Sequence, residues 1–155
     1  MELMRKIARW FASQPWLTRA RPAIVGTDKV LYRLTKGRFT LVGVAGMPSL
    51  ILTVTGRKTG TPREVALLYV PDGKDILLVG SNWGGPEHPV WTVNLMANPD
   101  ASVNIKGRSH NVHAKLLTGQ ERTAVWPHLT KTWPAYDSYQ SRTNRELRVF
   151  RLTPR

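Results

Sequence analysis

The 155-residue sequence contains no cysteine. That excludes a disulfide scaffold, a thiolate nucleophile and any cysteine-ligated zinc or iron–sulfur centre. No apolar run approaches the ~20 residues of a membrane span. At the N-terminus Arg5, Lys6 and Arg9 interrupt the apolar residues, and no long apolar stretch follows as it would in a secretory signal. The expected location is therefore the cytoplasm. Catalytic signatures are missing too. There is no Gly-x-Ser-x-Gly elbow and no His-Glu-x-x-His pair. Asp72 and Asp75 flank a turn, Asp100 follows a helix and Glu64 starts a strand, so no carboxylates stand out as an acid–base couple. His110 and His113 point to opposite faces of an expected strand, so no shared metal is expected. His88 and His128 read as surface or packing residues.

Acids are scarce, 10 Asp and Glu against 23 Lys and Arg, and the net charge is +13. Such a balance favours an anionic partner: nucleic acid, anionic lipid or a phosphorylated small molecule. Residues 1–38 hold nine of the cations against Glu2 and Asp28, and the rest of the excess is spread out.

The patterning divides the chain into a basic N-terminal extension, 1–45, and a main domain, 46–155. Leu3, Ile7, Trp10 and Phe11 recur at helical spacing beside Arg5, Lys6 and Arg9, an amphipathic helix ended near Pro15. A second short helix is expected over Lys29–Lys36, starting at Asp28, and Gly37, Gly43 and Gly46 mark a loose approach. Strands are expected at Leu50–Thr55, Glu64–Val70 and Asp75–Gly80, with Pro71-Asp72-Gly73 as a turn. A helix follows over Pro89–Ala97. Ala101–Ile105 and Asn111–Leu117 form a hairpin about Lys106-Gly107-Arg108. Thr118 with Glu121 suggests a capping box for a helix to about Thr132. Trp126 and Trp133 share helical spacing, and Trp126 reads as core. Leu147–Leu152 closes the chain as a strand. This is a mainly β protein with helices, an α+β barrel of about six antiparallel strands. The links between the early strands are too short for crossover helices.

Between two expected strands lies Gly56-Arg57-Lys58-Thr59-Gly60-Thr61-Pro62-Arg63. Three cations crowd one loop, glycines permit a tight turn, and guanidinium forks suit phosphate oxygens. The threonine hydroxyls and exposed amides would complete a phosphate cradle. The alternative is an ordinary solvated hairpin. Walker A spacing is absent.

From about Pro48 to Pro154 the sequence resembles the deazaflavin-dependent nitroreductase family, which uses coenzyme F420 in a split β-barrel related to flavin mononucleotide (FMN)-binding barrels. The resemblance rests on Thr55 to Arg63, Ser81-Asn82-Trp83-Gly84-Gly85, His88 to Leu95 and Ala97-Asn98-Pro99. It continues through Glu121-Arg122, Trp126-Pro127 and Pro134 to Gln140. It implies that Arg57, Lys58 and Thr59 hold the cofactor's phosphate and acidic tail. Arg63, Glu64, Val65, Ala66, Leu67 and Leu68 would pass beside the deazaflavin. Val79, Gly80, Ser81 and Asn82 would meet the ring at a strand end, and Val90, Trp91, Thr92, Val93 and Asn94 would close the pocket. Trp91, Trp133, Tyr136 and Tyr139 would line the substrate side, with Tyr136, Tyr139 or Ser81 directing a proton. Asn82 stands where some relatives carry lysine and Trp133 where a tyrosine can occur, which bears on the substrate.

The activity implied is a reductase that passes hydride from reduced deazaflavin to a quinone, enone or nitroaromatic. The cofactor itself would carry the chemistry, consistent with the missing catalytic motifs. The basic amphipathic N-terminus fits peripheral contact with the inner face of the cell membrane, where a quinone resides. Related barrels often dimerise. Three other readings stand beside this one: FMN in the same barrel, a protein that stores the cofactor without turnover, and a basic nucleic-acid-binding module. No RNP motif, helix-turn-helix or zinc finger supports the last.

Overall fold

The computed structural model describes residues 2–34 and 46–155. Helix α1 covers Glu2–Ala12 and α2 covers Leu17–Leu34. The first matches expectation. The second begins well before Lys29 and runs through Pro22 and Gly26, residues of low helix propensity. A single proline removes one helical hydrogen bond and can be absorbed by a bend. The expected end of this helix at Lys36, with Gly37 and Gly43, lies outside the described residues. Hydrogen bonds tie the N-terminal segment to the rest of the chain. Arg5 Nε donates to Gly46 O at 3.1 Å, and Arg142 Nη2 donates to Ser13 O.

Strands β1 (Ser49–Thr55) and β2 (Pro62–Leu68) form an antiparallel hairpin, in register from Ser49↔Leu68 to Thr55↔Pro62. The run expected as one strand to Val70 breaks at Tyr69. There Tyr69 N–H turns back to Pro48 O, and β3 (Val70–Asp72) pairs with β4 (Asp75–Gly80) instead of β1. This break makes seven strands where about six are expected. The expected turn also moves: Pro71 and Asp72 belong to β3, and Gly73-Lys74 makes the reversal. Pro71 is tolerated because β3 is an end strand of the sheet, where a missing ladder donor costs little.

A 3₁₀ turn, Asn82–Gly84, leads to α3 (Val90–Ala97). β5 (Asp100–Ile105) and β6 (Arg108–Leu117) form the expected hairpin, with Arg108 inside β6 opposite Ile105. Then come α4 (Gly119–Thr132), α5 (Ala135–Ser141) and β7 (Arg148–Pro154). Thr118 precedes α4 but makes no side-chain cap. Glu121 takes Lys115 at 2.8 Å rather than closing a capping box.

All strand pairs are antiparallel, in the order β2-β1-β5-β6-β7-β4-β3, and the sheet curls into a split half-barrel. Period-two alternation sends side chains to two cores. Leu50, Leu52, Leu78, Phe150 and Leu152 join Trp91 and Leu95 of α3 on one side. Leu77, Val79, Leu147 and Val149 join Leu129, Trp133, Tyr136 and Tyr139 from the α4–α5 region on the other. Each such buried side chain contributes about 1.5–3 kcal/mol of apolar burial. The first core, which packs Leu50, Leu52 and Val54 of β1 with Trp91 and Leu95, holds the β1–β2 hairpin and α3 in fixed relation.

Candidate functional site

The β1–β2 loop is locked by its own backbone. Gly56 N–H donates to Thr61 O and Gly60 N–H to Gly56 O, both at 2.8 Å. A Cβ on Gly56 would lie 2.9 Å from Thr59 Oγ1 and 3.2 Å from Thr61 O, so a side chain there would force the loop to shift. Gly60 has φ +68°, a left-handed conformation other residues adopt at a cost. Thr59 and Thr61 bond each other through their hydroxyls at 2.8 Å, so these oxygens brace the loop.

Helix α3 fixes the loop from behind. Asn94 is buried, and its Oδ1 accepts from Arg57 N–H at 3.1 Å. Asn98 Nδ2 donates to Thr55 O at 3.2 Å. These two amides, one helical turn apart, staple the start of the basic loop to the helix. With its backbone pinned, the Arg57 side chain stays exposed.

Between loop and helix lies a cavity of about 660 Å³. That size accommodates a cofactor-sized ligand. Its lining combines four cations, Arg21, Arg57, Lys58 and Arg63, with apolar surface from Val54, Val65, Pro89, Val90 and Trp91. Gly56, Thr59, Glu64 and Asn94 complete it. Among the described residues, none of the four cations forms an ion pair; every pair lies elsewhere. Exposed unpaired cations beside an apolar wall fit a ligand that has a flat apolar part and a multiply anionic part.

The residues expected at the site separate into two groups. Arg57, Lys58, Thr59, Arg63, Glu64, Val65, Val90, Trp91 and Asn94 line the cavity. Ala66, Leu67, Leu68, Val79, Gly80, Ser81, Asn82, Thr92 and Val93 do not. Thr92 is buried, donates to Pro89 O at 2.7 Å and accepts from Arg148 at 3.0 Å.

Tyr136 and Tyr139 lie apart from the cavity lining. They are 3 % and 5 % exposed and sit with Trp133 in the α4–α5 core. Burial pushes the Tyr136 phenol above its ordinary value, helped by Tyr139. It raises Tyr139 as well, partly offset by a hydrogen bond with Trp133 and by Arg142. Raised phenols of this kind are weak proton donors. Trp126, expected in the core, is partly buried and donates to Asp137 Oδ1 at 2.9 Å.

Two cations escape sequence reasoning. Arg21 reaches the cavity from α2, in a segment with no matched motif. Arg145 clamps the end of β4. Its guanidinium donates to Gly80 O (3.1 Å), Ser81 O (2.7 Å), Gly85 O (3.0 Å) and His88 Nδ1 (3.2 Å). The clamped turn is strained, since Asn82 and Trp83 have φ of 44° and 56°. Such conformations cost about 1–3 kcal/mol each and persist only when surrounding contacts hold them. No local signal marks Arg145, because its partners, three backbone carbonyls and the His88 ring, are distant in sequence.

Comparison with known proteins bears on this arrangement. A family model described as F420H(2)-dependent quinone reductase matches residues 26–154. A Mycobacterium tuberculosis H37Rv protein named F420H(2)-dependent quinone reductase is 37% identical over 149 residues, covering 90% of this chain and 97% of that protein. The solved F420-H2 dependent reductase FDR-A is 35% identical, with a TM-score of 0.63, covering 68% of this chain and 93% of its own. A solved domain-swapped dimer is 32% identical, with a TM-score of 0.65, covering 82% and 93%. The haem storage protein HutZ of Vibrio cholerae, 13% identical with a TM-score of 0.53, shares the fold.

Proposed function

The chain belongs to the F420H(2)-dependent quinone reductase family, and from that premise we infer that it is a coenzyme F420-dependent oxidoreductase that reduces a quinone. When bound, the reduced deazaflavin supplies a hydride, which with one proton per hydride converts a quinone to its hydroquinone. The observation that carries the reading is the cavity that joins a basic loop to an apolar wall.

In this reading Arg57, Lys58 and Arg63 hold the cofactor's phosphate and acidic tail. Val54, Val65 and Trp91 flank the ring and exclude water. Asn94 acts by positioning the loop, through Arg57 N–H. The burial of Tyr136 and Tyr139 favours solvent over either phenol as the source of the proton. Enones and nitroaromatics are further acceptors of suitable polarity.

The test is a fluorescence titration with coenzyme F420, run beside FMN and a short single-stranded DNA. Saturable binding of the deazaflavin alone, followed by its oxidation on adding a quinone, is the expected result. Binding of FMN or DNA in its place would overturn the assignment. Binding without turnover would leave a storage protein.

The exposed side of α1 supports a place for the reaction. Leu3 and Trp10 are 70 % and 61 % exposed, Ile7 and Phe11 lie exposed with them, and Arg5 and Lys6 adjoin them. No helix among the described residues is long and apolar enough to cross a membrane. This face suits a cytoplasmic protein peripheral on the inner, anionic face of the membrane, where a quinone dissolves. Sedimentation with phosphatidylglycerol vesicles should capture the full chain and release a variant lacking residues 1–20. Equal capture of both would remove the idea. The domain-swapped relative supports a homodimer, for which analytical ultracentrifugation should find twice the 17.5 kDa chain mass.

A further inference from the structure

We propose that Arg21 of α2 is a cofactor-binding residue, so that α2 contributes to the wall of the cofactor site. This rests on the coenzyme F420 reading above. Three of the cavity's cations come from the β1–β2 hairpin, Arg57 and Lys58 in its loop and Arg63 in β2, and the fourth comes from a helix far away in sequence. Arg21 is exposed and, among the described residues, forms no ion pair. The position of the helical segment is constrained from the α1 side by Arg142 on Ser13 O and by Arg5 on Gly46 O. Cations on two independent elements around one cavity match an extended anion better than a single phosphate, because each element reaches a different charged group. Arg21 therefore reads the cofactor's acidic portion, leaving the ring to the apolar wall.

The experiment titrates coenzyme F420, and separately a deazaflavin riboside lacking phosphate and tail, into wild-type protein, Arg21→Gln and Arg21→Lys. Fluorescence reports binding, at low and at moderate salt. Arg21→Gln should weaken coenzyme F420 about tenfold. It should leave the riboside unchanged, and it should reduce the salt dependence of coenzyme binding. Arg21→Lys should recover most of the loss. Coenzyme binding unchanged in Arg21→Gln would overturn the inference alone. Equal loss of both ligands would also overturn it, since Arg21 would then be shaping the ring site. Failure of the wild type to bind coenzyme F420 would overturn the functional reading and this inference with it.

Discussion

The arginines around β7 and those around the cavity are chemically identical and differently employed. Near β7 every guanidinium is engaged. Arg145 reaches three carbonyls and an imidazole. Arg122 donates to Leu147 O and Gln140 Oε1 and stacks 4.5 Å from the Trp126 ring. Arg151 pairs with Asp72 at 2.8 Å. Around the cavity, Arg21, Arg57, Lys58 and Arg63 form no ion pair among the described residues. The difference divides a net charge of +13 into cations that hold the fold and cations left free for an anion. It also gives the two sets opposite mutational signatures.

The largest expected effect comes from removing the free set. Arg57→Ala, Lys58→Ala and Arg63→Ala combined should weaken coenzyme F420 about 1000-fold by fluorescence titration. Thermal stability should barely move, because exposed unpaired cations contribute little to folding. A large loss of stability would erase the contrast. Arg145→Ala should do the reverse. It strands three carbonyls and releases a strained turn, and about 3 kcal/mol of stability should be lost in urea unfolding.

Asn94→Ala tests the joint between the sets, since it removes the acceptor of Arg57 N–H. A loss of about 1 kcal/mol of stability is expected, with weaker cofactor binding of similar size. A change in stability alone would show that the loop keeps its shape without the staple.

The smallest effect is a pH dependence at His88. Burial first, then the Arg148 and Arg145 cations, hold its imidazole below the ordinary value of 6.5. Its Nδ1 accepts from Arg145, so the folded state favours the neutral ring. The unfolded chain then binds the proton more readily. The contribution to stability is complete above pH 6.5 and is lost as pH falls through the lowered folded value. His88→Gln should flatten that acid limb in melts across this range. An unchanged limb would assign it to other groups.

Much of the fold was legible because it is local. The apolar, β-branched residues of Leu50–Thr55, the Lys106-Gly107 reversal and the Pro89 start of α3 each act within a few residues. The break at Tyr69 was not legible, because it depends on Pro48 O and on whether β1 or β4 offers the better partner. The start of α2 at Leu17 was not legible, because a helix that passes through Pro22 runs against local propensity. Of the candidate site, the cationic loop could be read directly, and part of α3 only through the family resemblance. Tyr136, Tyr139 and Trp133, placed on the substrate side by the resemblance, are buried in the α4–α5 core; an aromatic near a proline suits a pocket edge and a core equally.

The sequence by itself determined that this protein has no thiol chemistry and an excess of cations. It also determined that the most concentrated anion-seeking loop lies between two strands, because these properties follow from residue type and short spacing. Only the tertiary structure decided which cations are left unpaired, that a helix from the N-terminal segment reaches the same cavity, and that the tyrosines are buried away from it. Pairing and burial arise between residues distant along the chain, and they depend on how the sheet curls.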